Sequence, residues 1–179
     1  MIRVMNIFLV GYRCTGKTTV GKALAAKLGL NFVDADQMIS AETGLDIVAI
    51  VDKMGWEAFR KKEREVISRL SQRNGQVIAT GGGVVTAPEN ITVMRSSGTV
   101  IWLKATSGTI RQRMLADFAT RNNRPPLTGQ GSVEEIEEVL VARHRLYAQA
   151  AHHFLDTDEL SIAQIVAKMF ELTGNNFET

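Results

Sequence analysis

Residues 6–19 constrain the fold more than any other stretch of the chain. A short apolar run ends at Gly11, and the residues from Gly11 to Thr18 match the pattern G-x-x-x-x-G-K-[ST]. Apolar residues at helical spacing follow this pattern. The order of strand, glycine-bounded loop and helix is the context that a phosphate-binding loop requires, and the stretch therefore predicts such a loop.

The residue types of this loop indicate its chemistry. Gly11 and Gly16 allow the backbone to curl until successive N–H groups point inward, where the helix N-terminus also favours an anion. Lys17 brings a mobile charge to the β- and γ-phosphates, and the Thr18 hydroxyl is a suitable ligand for Mg²⁺. We expect these residues of the loop to bind a nucleotide: Gly11, Cys14, Thr15, Gly16, Lys17, Thr18 and Thr19.

The composition indicates an ordinary globular protein. The 179 residues, of which 45% are hydrophobic and 22% charged, predict one domain over 1–179. The net charge is only +2 and no long Lys/Arg run is present, which argues against nucleic acid or a membrane surface as a partner. Cys14 is the single cysteine, so an intrachain disulfide is impossible. We expect a cytoplasmic monomer without a secretory signal or membrane span.

Strands alternate with helices along the chain, which predicts an α/β fold with a mostly parallel sheet covered on both faces. The expected strands are 5–10, 31–33, 77–80, 99–103 and 152–155. The expected helices start in the phosphate loop and at 36, 46, 56, 88, 107, 132 and 161, and two of them have visible caps: a Ser132–Glu135 capping box and Ser161.

Three polar features follow the first three predicted strands. They are the phosphate loop, the Asp34/Asp36 pair and the glycines 81–83. Ligands of parallel sheets bind at the carboxyl ends of the strands, so this edge is the predicted active site. In extended backbone, Asp34 and Asp36 would project to one side, one toward Mg²⁺ and the other toward an acceptor hydroxyl. Three consecutive glycines would let a ligand approach backbone N–H groups, although a flexible turn is the alternative.

Two arginines have an ambiguous setting. Arg143 lies at the edge of an apolar helical stripe, where it needs an anionic partner, and Arg60 follows an apolar residue in a similar pattern. An internal ion pair or a solvated head group would satisfy either of them. Together with Asp36, however, two arginines would suit a small acidic polyol, because arginine grips a carboxylate with two parallel hydrogen bonds.

Residues 117–131 form an irregular polar stretch that is long for a connection inside a compact domain. Such segments are often mobile lids over an active site. Arg124 precedes two prolines and could move onto the phosphates as negative charge develops on them. The same role is less expected for Arg121. A solvated side chain is the alternative for each.

With these residues assembled, the sequence resembles the shikimate kinases over essentially its whole length. The phosphate loop alone is shared by many NTPases, but the ordered set of motifs is far more specific. The matching segments are 11–18, Phe32-Val33-Asp34-Ala35-Asp36, Gly55-Trp56-Glu57-Ala58-Phe59-Arg60, Ala79-Thr80-Gly81-Gly82-Gly83, Arg124-Pro125-Pro126-Leu127-Thr128-Gly129 and Arg143-His144-Arg145-Leu146-Tyr147.

The resemblance implies ATP-dependent phosphorylation of the shikimate 3-hydroxyl, in the pathway to chorismate and aromatic amino acids. It implies a P-loop kinase fold with strand order 2-3-1-4-5 and a lid, as in nucleoside monophosphate kinases. The implied catalytic residues are Lys17, Asp36 and Arg124, and the implied metal-binding residues are Thr18 and Asp34. Two arginines are implied to bind the nucleotide: Arg113, packed on the adenine, and Arg124. The implied substrate-binding residues are Asp36, Arg60, Gly81, Gly82, Gly83 and Arg143.

One position departs from the family pattern, because Cys14 stands where the family usually has glycine. A side chain there has to avoid the phosphates and adopt the φ/ψ of the loop. Two other functions fit parts of the pattern: another small-metabolite kinase of this fold, such as a gluconate kinase, and a non-catalytic nucleotide-binding regulator. A signalling GTPase fits less well, because the sequence has no guanine-reading Asn-Lys-x-Asp.

Overall fold

The computed structural model describes residues 5–116, 133 and 135–174, which build a five-stranded sheet flanked by helices. The strands are β1 Asn6–Val10, β2 Asn31–Asp34, β3 Gln76–Ala79, β4 Gly98–Lys104 and β5 His153–Asp156. The α-helices are α1 Lys17–Leu28, α2 Ala35–Thr43, α3 Ile47–Ser71, α4 Pro88–Ser97, α5 Ser107–Ala116, α6 Ile136–Ala150 and α7 Ile162–Gly174, with a short 3-10 helix at Val84–Thr86.

The sheet order is β2-β3-β1-β4-β5, and every neighbouring pair is parallel. Strand β1 lies in the centre, with Leu9 opposite Ala79 of β3 and Val10 opposite Trp102 of β4. The predicted fold class and strand order are thereby confirmed. Because the strands are parallel, the carboxyl ends of β1, β2 and β3 meet at one edge of the sheet.

The three central strands β3, β1 and β4 are buried on both faces, as their uninterrupted apolar residues predict. Ile7 and Leu9 of β1 pack in a cluster that includes residues of α1 and α7. Phe8 and Val10 point to the opposite face and pack in a larger cluster that includes residues of α3, α4 and α6. In the described ranges, none of the helices combines the length and apolar character that a membrane span needs.

The element α3 consists of two helical segments that meet at Gly55, as the sequence predicts. Gly55 has φ 81° and ψ 165°, which are not helical angles, so the helix is interrupted by a kink at this residue. A positive φ of this size favours glycine. The predicted end of one helix at Gly55 and the start of the next helix after it are therefore confirmed.

The two predicted caps have different outcomes. Ser161 caps α7 as expected, with its Oγ accepting a hydrogen bond from the N–H of Gln164 at 3.3 Å. The predicted helix start at Ser132 is wrong, because α6 begins at Ile136 and Glu135 lies at its N-cap position. The buried Glu135 carboxylate instead accepts from Arg13 of the phosphate loop at 3.2 Å. Ser132 lies outside the described residues.

His152 precedes the edge strand β5 and joins it to β4. Its ring Nδ1 accepts a hydrogen bond from the backbone N–H of Val100 at 3.0 Å, and the backbone N–H of His152 donates to the Val100 carbonyl at 2.8 Å. Loss of hydration, reinforced by the positive charge of Arg95, lowers the pKa of His152 below its usual value of 6.5. The folded state therefore prefers the neutral imidazole.

A pH dependence of stability follows from this shift. The unfolded chain takes up a proton at His152 more readily than the folded chain, so the free energy of unfolding should fall as the pH drops below about 6.5. Replacing His152 by Asn keeps an acceptor and removes the titration. We expect His152→Asn to weaken the loss of stability between about pH 7 and about pH 5.5 in urea unfolding. His153→Asn is the control, and equal pH dependences in the two variants would contradict the assignment.

Candidate active site

The phosphate loop connects the carboxyl end of β1 to the N-terminus of α1. Gly11 and Gly16 have φ 142° and 94°, so both glycines take backbone angles that other residues avoid. The Lys17 side chain is only 9% exposed and folds back over the loop, where its ammonium donates to the carbonyl oxygens of Gly11 at 2.8 Å and Tyr12 at 2.7 Å. The loop thus holds a positive charge at its own backbone.

Cys14 is the single non-glycine residue with a positive φ among residues 5–116, 133 and 135–174, at 61°. Its side chain is half-buried and packs beside Tyr12, Ile110, Met114 and Val139. The departure from glycine that the sequence shows at this position is therefore a departure at a left-handed backbone position. For an L-residue this conformation costs roughly 1–2 kcal/mol.

Substitutions at Cys14 should expose this cost. Cys14→Ala keeps the unfavourable conformation, whereas Cys14→Gly removes it, so the Gly variant should be more stable than the Ala variant by about 1 kcal/mol. This order is the reverse of that at an ordinary position, where Gly is less stable than Ala. Urea unfolding of both variants measures the difference. An Ala variant as stable as the Gly variant would show that the loop changes its backbone conformation.

Asp34 lies at the junction of β2 and α2, where its carboxylate has two separate tasks. Oδ1 accepts the N–H groups of Asp36 at 3.1 Å and Gln37 at 3.2 Å, and so caps α2. Oδ2 accepts the Thr18 hydroxyl of α1 at 2.9 Å. The structure therefore brings together the two residues expected to serve a metal.

The donor set around Thr18 and Asp34 fits Mg²⁺ bound together with phosphates. In the part of the chain that the structure describes, no group of three or more His, Cys, Asp and Glu side chains could hold a metal. Mg²⁺ does not require such a cage, since it commonly binds one or two protein oxygens and completes its shell with phosphate oxygens and water. The hydroxyl and carboxylate next to the phosphate loop meet this requirement.

Asp36 corrects one step of the sequence reasoning. The strand ends at Asp34 and the helix begins at Ala35, so Asp36 lies in the first turn of α2 and not in extended backbone beside Asp34. Its carboxylate faces the glycine loop, which is formed by residues 81–83 after β3. A Cβ on Gly81 would lie 2.8 Å from Asp36 Oδ1. The two aspartates thus face different parts of the site.

Glu63 is a residue of the site that the sequence reasoning missed. It lies on α3, is 1% exposed, and accepts a hydrogen bond from Arg60 Nη1 at 2.7 Å. Burial raises the pKa of its carboxyl group, the charge and hydrogen bond of Arg60 oppose this, and the Asp36 carboxylate adds to it. A glutamate within the apolar stripe of Phe59 and Val66 was the signal that could have revealed it.

Two of the three glycines after β3 make room for neighbouring side chains. A Cβ on Gly81 would meet Asp36 and Glu63 below 3.0 Å, and a Cβ on Gly83 would lie 2.0 Å from Arg60 Nη2. At Gly82 the nearest atom would be the backbone N of Arg13 in the phosphate loop, at 3.4 Å. Gly81 and Gly83 therefore admit the site's own side chains, and not only a ligand as the sequence suggested.

Arg143 and Arg60 reach the glycine loop from two different helices, α6 and α3. Arg143 of α6 donates from Nη1 to the Gly82 carbonyl at 3.1 Å. Arg60 of α3 packs over Trp56 and Phe59 and is paired with Glu63, so its guanidinium has an internal partner. Both arginines line the same cleft, and the predicted convergence of two guanidinium groups near one aspartate is therefore observed.

The remaining predicted arginines have different positions. Arg113 of α5 donates to the carbonyl oxygens of Cys14 at 3.3 Å and Thr157 at 2.8 Å, so it ties the phosphate loop to the segment after β5. The predicted lid 117–131, with Arg121 and Arg124, lies outside the described residues.

A cleft of about 580 Å³ contains the candidate site. It is lined by the phosphate loop, by Thr18 and Asp34, and by the residues expected to hold an acceptor: Asp36, Arg60, Gly81, Gly82, Gly83 and Arg143. Cationic residues lie at both ends, with Lys17 in the loop and the two arginines by the glycines. The cleft can hold a phosphorylated nucleotide beside a small anionic molecule with hydroxyl groups.

Comparison with known proteins agrees with this geometry. Shikimate kinase 2 of Sodalis glossinidius is 46% identical over 154 residues, which cover 86% of this chain and 87% of that protein. The shikimate kinase of Symbiobacterium thermophilum is 41% identical over 167 residues, covering 93% and 95% of the two chains. The solved structure of shikimate kinase from Acinetobacter baumannii in complex with shikimate is 33% identical, with a TM-score of 0.89 over 98% of this chain and 96% of that chain.

More distant relatives share the fold alone. The YorR protein of Bacillus subtilis aligns with a TM-score of 0.62 at 14% identity, over 97% of this chain and 99% of that chain. By contrast, the shikimate kinase family model matches residues 13–173, which include most of the phosphate loop, the glycine loop and α6. The chain therefore belongs to the shikimate kinase family.

Proposed function

We propose that this protein transfers the γ-phosphoryl group of ATP to the 3-hydroxyl of shikimate, giving shikimate 3-phosphate and ADP in the pathway to chorismate. The observation that carries the proposal is the single cleft in which the phosphate loop faces Asp36, Arg60 and Arg143. Family membership supports the same reaction. The enzyme is a cytoplasmic monomer that acts on a small molecule and needs neither nucleic acid nor a membrane.

The nucleotide end of the cleft stabilises the phosphates. The backbone N–H groups from Gly11 to Thr19 and the Lys17 ammonium bind the β- and γ-phosphate oxygens, and electrostatic stabilisation of this kind is a large part of phosphoryl-transfer catalysis. Thr18 and Asp34 hold Mg²⁺, which when bound neutralises phosphate charge. Arg124 binds the same phosphates, and Arg113 packs on the adenine.

The acceptor end of the cleft binds shikimate by its charge and hydroxyl groups. Arg60 and Arg143 hold its carboxylate, and the glycines 81–83 leave space for the ring beside the backbone. Asp36 accepts the hydrogen bond of the 3-hydroxyl, aligns the oxygen with the γ-phosphate and accepts its proton. Alignment is the larger contribution, because positioning and charge stabilisation dominate this chemistry.

A coupled assay of ADP release with several acceptors tests the proposal. Shikimate, gluconate and nucleoside monophosphates are offered separately with ATP and Mg²⁺, and we expect ADP release with shikimate alone. Release with gluconate but not shikimate would assign the chain to another small-metabolite kinase. Nucleotide binding without turnover on any acceptor would identify a non-catalytic regulator. Leaving out Mg²⁺ and adding EDTA should abolish the activity with shikimate.

A further inference from the structure

The carbonyl oxygen of Gly82 accepts two hydrogen bonds from helix α6. One comes from Arg143 Nη1 at 3.1 Å and the other from the hydroxyl of Tyr147. The two side chains are four residues apart and therefore lie on the same face of the helix. The proposed function gives Arg143 a task at the substrate, but it leaves the contact of Tyr147 without one.

Tyr147 is held in place by the sheet and not by the glycine loop. Its side chain is fully buried, and its ring stacks on Trp102 of β4 with the ring centroids 5.4 Å apart and the planes 22° from parallel. Burial raises the pKa of Tyr147 to about 12, so the hydroxyl keeps its proton and remains a donor over the working pH range. The side chain is thus a rigid donor with a fixed position.

The hydrogen bond to Gly82 also determines where the next N–H points. The carbonyl of Gly82 and the N–H of Gly83 belong to one planar trans peptide and point in opposite directions. Holding the carbonyl toward α6 therefore directs the Gly83 N–H away from α6. In the described ranges, no hydrogen bond has this N–H as its donor, and Arg60 Nη2 lies against the same residue.

A peptide between two glycines needs such a restraint. Glycine adopts positive and negative φ with similar ease, so the Gly82–Gly83 peptide can rotate at little cost unless its carbonyl is held. Arg143 alone would be a poor restraint, because its guanidinium also has to reach a substrate anion. The Tyr147 hydroxyl also interacts with the Arg143 guanidinium, but its ring is fully buried and stacked on Trp102, so Tyr147 can hold the carbonyl throughout.

We infer that Tyr147 is a positioning residue whose hydroxyl holds the Gly82–Gly83 peptide so that the Gly83 N–H and the Arg60 guanidinium face one anionic group of the acceptor. The inference rests on the proposed function in that it takes the acceptor to carry a carboxylate. It assigns the specificity for that anion partly to a tyrosine that touches no ligand.

Steady-state kinetics of Tyr147→Phe test the inference. The phenylalanine ring keeps the stacking on Trp102 and removes the hydroxyl alone. We expect the KM for shikimate to rise about fivefold, with kcat within about twofold of wild type and the KM for ATP unchanged. Ser71→Ala is the matched control, since it removes another buried hydroxyl hydrogen bond, from Ser71 Oγ to the Ile67 carbonyl at 2.8 Å in α3. It should leave both KM values unchanged.

The orientation of the peptide can be followed without turnover. In ¹⁵N-glycine-labelled protein, we expect Tyr147→Phe to move or broaden the amide resonance of Gly83, and Ser71→Ala to leave it in place. An unchanged Gly83 resonance, an unchanged KM for shikimate, or equal increases in both KM values would overturn the inference. If the wild-type enzyme did not phosphorylate shikimate, the proposed function would fail, and the Gly83 resonance would still decide the role of Tyr147.

Discussion

Asp36→Asn should reduce kcat with shikimate about a thousandfold, the middle of the range for loss of a positioned general base. The asparagine has nearly the same size and keeps one oxygen, but it carries no charge and cannot take the proton of the acceptor hydroxyl. Asp36 lies beside Gly81 and Glu63 and not in the phosphate loop. Nucleotide affinity should therefore remain within about threefold of wild type.

Two measurements separate this effect from a loss of folding. Calorimetric titration with a non-hydrolysable ATP analogue reports the nucleotide affinity, and urea unfolding reports stability. Asp52→Asn is the control, because Asp52 is an exposed carboxylate on α3. An Asp36→Asn enzyme that turned over at the wild-type rate would remove Asp36 from the mechanism and leave the arginines as the acceptor's principal contacts.

Lys17→Met should have an effect of similar size, about a thousandfold on kcat, and should act on the nucleotide. The methionine retains much of the side-chain volume but removes a cation that lies almost buried against the loop carbonyls. Loss of one preorganised donor to the transition state commonly costs a hundredfold to a thousandfold, roughly, and here a full charge is lost as well.

The carbonyl oxygens of Gly11 and Tyr12 would also lose their donor, so we expect a measurable decrease in thermal stability together with the loss of activity. Lys27→Met is the control on the same helix, where Lys27 is exposed and packs over Phe170. Retention of more than about a tenth of wild-type kcat in Lys17→Met would show that the backbone N–H groups and the helix N-terminus provide most of the phosphate stabilisation.

Local patterns in the sequence were sufficient to predict the α/β class of the fold and the presence of the phosphate loop. The phosphate loop is a continuous segment, so the spacing of Gly11, Gly16 and Lys17 determines its geometry without help from distant residues. The strand order follows from the resemblance, and the burial of both sheet faces follows from the apolar strands. The unusual residue of the loop, Cys14, was also visible in the sequence, although its φ of 61° was not.

The acceptor half of the site depends on contacts between distant segments. The fit of Gly83 around Arg60, and of Gly81 around Asp36 and Glu63, brings three separate elements together. No local periodicity encodes such contacts. The direction of the Asp36 side chain depends on whether β2 ends before or after this residue, and strand and helix propensities compete there. A shift of one or two residues in the end of the strand makes the side chain face another part of the site.

The close approach of Gly82 to the backbone N of Arg13 has a consequence for inhibitor design. At this point the glycine loop and the phosphate loop separate the two halves of the cleft with their main chains. Gly82 adds no side chain between them. A compound with an anionic ring on one side and a phosphate mimic on the other would therefore need only a short connection. An alanine at Gly82 would only come into van der Waals contact with the loop that binds the nucleotide, at 3.4 Å from the backbone N of Arg13.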